Sequence, residues 1–371
     1  MKTEMQNFDE IRPYSDAEVP QAIEQIISDP EFTAAIIRFK FGKAFGGLSK
    51  LLSPLLGWYL RRHWRRLQTV QDVQRYVSGY LEQALQHTTD GVSCSGLETL
   101  PKDRAYLFVC NHRDIAMDPA LVNWCLHLNG FETARIAIGD NLLKKPCVTA
   151  LMKLNKSFIV RRSAKGPREM LKALSQLSAY IRHSLSEGQH IWIAQKEGRA
   201  KDGFDQTDPA ILKMFYMAGK ADGIEFADYM QQLNIVPVAI SYEYDPCDEA
   251  KALELYQRAE DGGYQKAEFE DIDSIIKGIT GYKGRVHLHF GQMIRDGFET
   301  PEQLAELIDR QIYQGYRIYP ANQYAAGEQV SDEQAAAKFA GRLAHMLPEI
   351  QNYARAMYAN PLKNAQKVQG Q

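Results

Sequence analysis

The sequence predicts an α/β protein: a mixed β-sheet flanked by helices, with helical extensions at both ends. Three observations carry this. From about residue 104 to 245, short apolar runs alternate with helical segments: AYLFVC, ALVNWCLHL, RIAIG, SFIVRR, the long REMLKALSQLSAYIRHSL, HIWIA and IVPVAISYEY. That alternation is the pattern of a sheet covered by helices. Ahead of it lies a stretch with helical apolar spacing, and after Pro301 the pattern is helical again (PEQLAELIDRQIYQGY, then DEQAAAKFAGRLAHMLPEIQNYARAMY). The expected organisation is a basic, amphipathic helical region over 1–95, an α/β domain over 96–298 and a helical C-terminal extension over 299–371. RVHLHFG, near residue 285, alternates strictly and reads as one more strand and a candidate edge; the last ten residues are polar and read as frayed.

With 371 residues and 45% hydrophobic content the chain can bury a large core. Its net charge of −2 gives the whole-protein field no preference for nucleic acid, so any electrostatic partner must meet a local patch. Five cysteines (Cys94, Cys110, Cys125, Cys147, Cys247) are scattered without CxxC spacing, which argues against a disulfide framework and a zinc site and fits a reducing compartment. The first thirty residues are acidic and polar, unlike a secretory signal. A cytoplasmic protein, peripheral on the inner face of the cell membrane, is the expectation.

The patch that would place it there runs over 38–75. It holds nine Lys/Arg against one acid, Asp72, interleaved with Phe41, Phe45, Leu48, Leu51, Leu52, Leu55, Leu56, Trp58 and Tyr59. The most hydrophobic part, 44–60, is interrupted by Lys50 and Pro54. It falls short of the roughly 20 apolar residues a spanning helix needs. Two readings are compatible: amphipathic helices packed on the core with solvated arginines, or an interfacial element meeting an anionic membrane surface.

The densest polar cluster follows the first apolar run, where AYLFVC gives way to NHRDIAMD. Loops at strand ends are where α/β proteins place reactive groups. A histidine there, His112, can take a proton from an alcohol if a carboxylate holds its other ring nitrogen; Asp118 and Asp114 are both candidates for that carboxylate. Arg161 and Arg162 end a second run, and Lys196, Glu197, Gly198 and Arg199 end a third. An Arg fork takes anionic oxygens bidentately, and a neighbouring glycine lets backbone N–H groups approach the same anion.

In this order the blocks NHRDIAMD, KLNKSFIVRR, AQKEGRAKDG and NIVPVAISY resemble the glycerolipid acyltransferase superfamily, the 1-acylglycerol-3-phosphate and glycerol-3-phosphate acyltransferases. The resemblance implies that fold and that activity. It makes His112 the general base, Asp118 its orienting carboxylate, Arg161 or Arg162 a ligand of the acceptor phosphate, Glu197, Gly198 and Arg199 a second binding block, and Pro237 a residue shaping the acyl-donor side. It further implies an acyl thioester donor (acyl-CoA or acyl-carrier protein) as co-substrate and no other cofactor or metal, with a glycerophosphate or lysophospholipid acceptor, foremost 1-acyl-sn-glycerol-3-phosphate. Two departures stand out. His112 and Asp118 are separated by five residues where the family has four, and the third block lacks the usual Pro before Glu and Thr after Gly. The run leading into SFIVRR looks more like the branch that acylates glycerol-3-phosphate or dihydroxyacetone phosphate, which keeps that acceptor class as an alternative.

Three rivals stand against this reading. Cys110, two residues before His112, could be an acylated nucleophile, but strand alternation gives no reason to expose it. HRD opens the protein-kinase catalytic loop, yet position 119 is Pro instead of Asn and no glycine-rich loop or DFG is present. A non-catalytic, membrane-surface lipid-binding protein would have no use for His112, Asp118 and Arg199 together.

Overall fold

The structure is a computed structural model and describes residues 8–41, 49–260, 262–267 and 270–370. The part of the basic segment that falls on 42–48 lies outside them. Seven strands are present: β1 Val92–Ser95, β2 Leu107–Cys110, β3 Arg135–Gly139, β4 Ser157–Val160, β5 Ile191–Ala194, β6 Ile235–Tyr242 and β7 Val286–Phe290. With the many helices between and after them, they bear out the expected α/β class and helical ends. The chain divides into two compact units, one of residues 1–80 and 135–176, the other of residues 81–134 and 177–371.

In the first unit β3 and β4 pair in parallel, Ile136 opposite Ser157. Its core is helical. Val19, Ala22, Ile23, Ile26 and Ile27 line one face of the helix Val19–Ser28 and pack with Leu60, Val70, Val73, Ala150 and Leu154. These apolar positions recur every three or four residues, which places them on one face of a helix. The basic segment serves this unit in part: Leu60 is buried, and Arg61 pairs with Glu24 at 2.8 Å. The helix Ser49–Trp64 leaves Leu55, Trp58 and Tyr59 64%, 64% and 49% exposed. Among the described residues no helix is long and apolar enough to cross a membrane.

The second unit carries five strands in the order β1-β7-β6-β2-β5. β2 runs parallel to both β5 and β6, β7 is antiparallel to β6, and β1 is parallel to β7. The sheet is therefore mixed. β7 is not at its edge, contrary to the expectation from RVHLHFG, because β1 pairs along its other side. VSCS carries neither the apolar run nor the alternation that marks a strand, so this partner was not legible in the sequence. Pro237 lies inside β6 and its carbonyl accepts from Gly291 N–H at 2.8 Å. β2, fully buried, reads as a continuous apolar run, as strands covered on both faces do.

The C-terminal residues are not frayed. The helix Pro348–Gln369 runs nearly to the end of the chain, with Leu362, Asn364 and Ala365 buried. Asn360 and Asn364 donate to the carbonyls of Asp202 and Phe204 at 2.7 and 2.9 Å, so polar residues that look solvated in the sequence are hydrogen-bonding anchors. Tyr244, Phe339, Ile350, Met357 and Tyr358 form the core beneath this helix.

Candidate active site

Register brings the site together. Cys110 at the end of β2 stands opposite Ala194 at the end of β5 and opposite Val238 in β6, and all three strands point the same way. The polar segments that follow β2 and β5 therefore emerge at one edge, and β6 continues past that level to Tyr242. Asn111 extends the pairing with its side chain, accepting from Ile240 N–H at 2.7 Å and donating to the Ile240 carbonyl at 3.1 Å. The next residue, His112, is held at its own carbonyl by Ala200 N–H at 2.8 Å.

His112 Nδ1 lies 2.8 Å from Asp118 Oδ2. The same oxygen accepts from the backbone N–H groups of Arg113 at 2.6 Å and Asp114 at 2.9 Å, and Asp118 Oδ1 accepts from the Tyr242 hydroxyl at 2.8 Å. Asp118 is wholly buried, and its other hydrogen bonds all come from donors. A carboxylate so surrounded takes the Nδ1 proton as its fourth bond, which leaves the lone pair on Nε2. The extra residue between His112 and Asp118 is accommodated in this turn, whose amides fold back onto the carboxylate. Asp114 instead caps the helix Met117–Leu128, its Oδ1 accepting from Ala116 and Met117 N–H at 2.9 and 2.8 Å. Burial, reinforced by the Asp118 charge, raises its carboxyl above the ordinary range. Gly278 is required beside it, since a Cβ there would come 2.1 Å from Asp114 Oδ2.

A second layer of polar groups backs the loop. Arg113 reaches Asp205, which also accepts from Tyr316 and Asn111. Asp205 is completely buried at φ 45°, a left-handed conformation that non-glycine residues adopt only when their surroundings enforce it. The Arg113 carbonyl accepts from Lys251 Nζ at 2.7 Å, and Lys251 is paired with Asp245. Burial raises the Asp245 carboxyl, but the Lys251 charge and hydrogen bond outweigh it and hold the group below the usual range. Cys110 is fully buried, and burial pushes its thiol far up, so it offers no thiolate.

From the third block, Gly198 takes φ 78° at an exposed turn beside exposed Glu197. Arg199 Nη2 donates to Ser274 Oγ at 3.3 Å, while its Nη1 is buried without a hydrogen-bond partner. The Gln195 amide is likewise buried with neither polar atom paired, and the ring of Trp192 meets that of His112 edge-on at 5.6 Å. Unpaired buried polar groups are costly, which makes Arg199 Nη1 and the Gln195 amide candidates for meeting a polar ligand. Arg161 and Arg162 belong to the first unit. There Arg161 pairs with Glu10, and Arg162 donates its backbone N–H to Asp140 at 3.0 Å and lays its side chain over Gly139.

Residues 91–241 match the family described as Acyltransferase. That stretch is similar to an acyltransferase domain. The match encloses the first three motif blocks and all of the fourth but its last residue, Tyr242, and it bears out the resemblance to the glycerolipid acyltransferases. Among solved structures, the chain is similar to the 1-acyl-sn-glycerophosphate acyltransferase PlsC from Thermotoga maritima, at 16% identity and a TM-score of 0.40, over 78% of this chain and 91% of that one. Among curated proteins none matches at a significant level.

Several residues of the site went unread in the sequence. Tyr242 closes the fourth block, but nothing in the sequence pairs it with an aspartate from the first. Asp205, Lys251 and Asp245 look like surface charges: Asp205 meets Arg113 and Tyr316 far away along the chain, and the local Lys251–Asp245 pair is buried only by the fold. The one available signal was the density of aspartates in RAKDGFDQTD.

Proposed function

We propose that the protein transfers a fatty acyl group from acyl-CoA or acyl-carrier protein to the hydroxyl of a glycerophosphate acceptor, foremost 1-acyl-sn-glycerol-3-phosphate, as in phospholipid biosynthesis. The observation that carries this is the His112–Asp118 hydrogen bond of 2.8 Å, which leaves Nε2 as a base at the edge where the loops after β2 and β5 meet. Nε2 takes the proton of the acceptor hydroxyl as its oxygen attacks the thioester carbonyl. The tetrahedral intermediate then collapses, and the leaving thiolate receives the proton from the imidazolium. Asp118 keeps the ring in the correct tautomer and balances the transient positive charge. The unpaired Arg199 Nη1 supports a role in holding the acceptor phosphate, together with Gly198 and Glu197; Arg161 or Arg162, which the resemblance also makes phosphate ligands, belong to the other unit. The scheme uses no cofactor other than the thioester. Thiol release from long-chain acyl-CoA, measured with 1-acyl-sn-glycerol-3-phosphate, glycerol-3-phosphate and dihydroxyacetone phosphate in turn, tests it. Failure to release thiol with any of the three returns the chain to the lipid-binding class.

Two substitutions sharpen the assignment. Asp118→Asn presents an amide to four donors and is expected to lower kcat about a hundredfold or more. Asp114→Asn keeps an oxygen for the Ala116 and Met117 amides and should retain most of the activity. A larger loss at Asp114 would reassign the partner of His112. Arg199→Lys removes the planar fork and should raise the KM for the acceptor far more than that for the donor.

The protein is further proposed to rest on an anionic membrane surface through exposed Leu55, Trp58 and Tyr59 together with Arg62, Arg65 and Arg66, Arg61 being engaged with Glu24. Co-sedimentation with vesicles containing anionic lipid is expected, weakened by high salt and by changing the three exposed arginines to Gln, and reversed by alkaline carbonate. Absence of vesicle binding at any ionic strength would leave the segment as a helical cover alone.

A further inference from the structure

We propose that Cys94 and Cys125 form an oxidative modification site, in which a hydroperoxide oxidises Cys94 and Cys125 converts the product to a disulfide. Far apart in sequence, the two residues meet because β1 brings Cys94 beside the helix Met117–Leu128. A single amide nitrogen, Asn129 Nδ2, donates both to Cys94 Sγ at 3.4 Å and to the Cys125 carbonyl at 2.8 Å, and the two thiols share a hydrogen bond of their own. Cys94 is half-buried and Cys125 buried, so a small oxidant meets Cys94 first and the second sulfur waits behind it.

The donors decide which sulfur is the nucleophile. The hydrogen bond from Cys125, helped by that from Asn129, outweighs burial and draws the Cys94 thiol down to about 6, while the same bond and burial push Cys125 well up. Cys94 is therefore the more acidic of the two thiols and the more exposed one. Burial raises the thiols of Cys110, Cys147 and Cys247, which serve as internal controls.

The Cys94 thiolate attacks the outer oxygen of the hydroperoxide, the O–O bond breaks, and the leaving alkoxide or hydroxide takes up a proton. Cys94 becomes a sulfenic acid. The Cys125 thiol then displaces its hydroxyl, so that two thiols lose two electrons and the hydroperoxide is reduced to an alcohol (or water) plus water. The bond formed ties β1 to the helix that carries Asp118.

The test uses the full chain, reduced and then exposed to hydrogen peroxide, blocked with N-ethylmaleimide and digested without reductant for mass spectrometry. A Cys94–Cys125 disulfide is expected to accumulate at least about tenfold faster than any product at Cys110, Cys147 or Cys247. In Cys125→Ser, dimedone should trap the sulfenic acid on Cys94. Oxidation of Cys94 no faster than that of Cys247 in the unsubstituted chain, or a Cys94 disulfide to a second chain in place of Cys125, overturns the proposal.

Discussion

Replacing His112 by Ala is expected to lower the rate of acyl transfer by about 10² to 10⁴, the usual worth of a positioned general base. The unfolding free energy should change by less than about 1 kcal/mol. The two expectations have separate physical grounds. Rate is lost because no other group is hydrogen-bonded to Asp118 through a ring whose second nitrogen remains basic. Stability is kept because Asp118 retains three of its four donors, the Arg113 and Asp114 amides and the Tyr242 hydroxyl. Thiol release under saturating acyl donor, alongside a denaturant titration, reads both. A variant with more than about a tenth of the original rate would remove His112 from the base role.

Replacing Lys251 by Met is expected to destabilise the fold by about 3–5 kcal/mol, the effect of stripping a buried charge of its partner. Lys251 is 2% exposed and pairs with Asp245, which is itself nearly buried. The stabilisation that Asp245 contributes is complete above the ordinary carboxylate pKa of about 4. It is lost as pH falls through the lower value that the folded protein gives this group. Lys251→Met should flatten that acid-side dependence, and Asp245→Asn combined with Lys251→Met should recover much of the loss by removing both charges. Because Lys251 also holds the Arg113 carbonyl at 2.7 Å, the single variant should lose activity along with stability. A fall of less than about 1 kcal/mol would mean that water reaches Asp245 in place of the lysine.

The C-terminal helices bear on the same network. Arg342 pairs with Asp248, Tyr358 donates to Asp248 at 2.8 Å, and the Asp245 amide donates to the Tyr358 hydroxyl at 2.8 Å. The extension is thus bonded to the segment that carries Lys251, and through it to the residue after His112. Its sequence announces helices and an apolar face, but the partners of Arg342 and Tyr358 are reached only through the fold.

By itself, the sequence determined the fold class and pointed to the acyltransferase resemblance. Local periodicity separated strands from helices, and strand-end loops announced themselves by abrupt changes from apolar to polar residues. The order of NHRDIAMD, SFIVRR, QKEGR and VPVAIS carried the family, because those groups sit on contiguous stretches that need no partner to be read. The tertiary structure decided what depends on partners. It gave His112 to Asp118 and left Asp114 as a helix cap, a choice made by the fold of a turn whose amides converge on one carboxylate. It placed β1 beside β7, anchored a polar C-terminal helix by two asparagines, buried Asp205 and Lys251 as a support for the loop, and put Cys94 against Cys125. Apart from the local His112–Asp118 turn, each of these is a contact between residues well separated in the chain. A linear pattern records which side chains can pair, but only sheet register and helix packing set which of them come within hydrogen-bond reach.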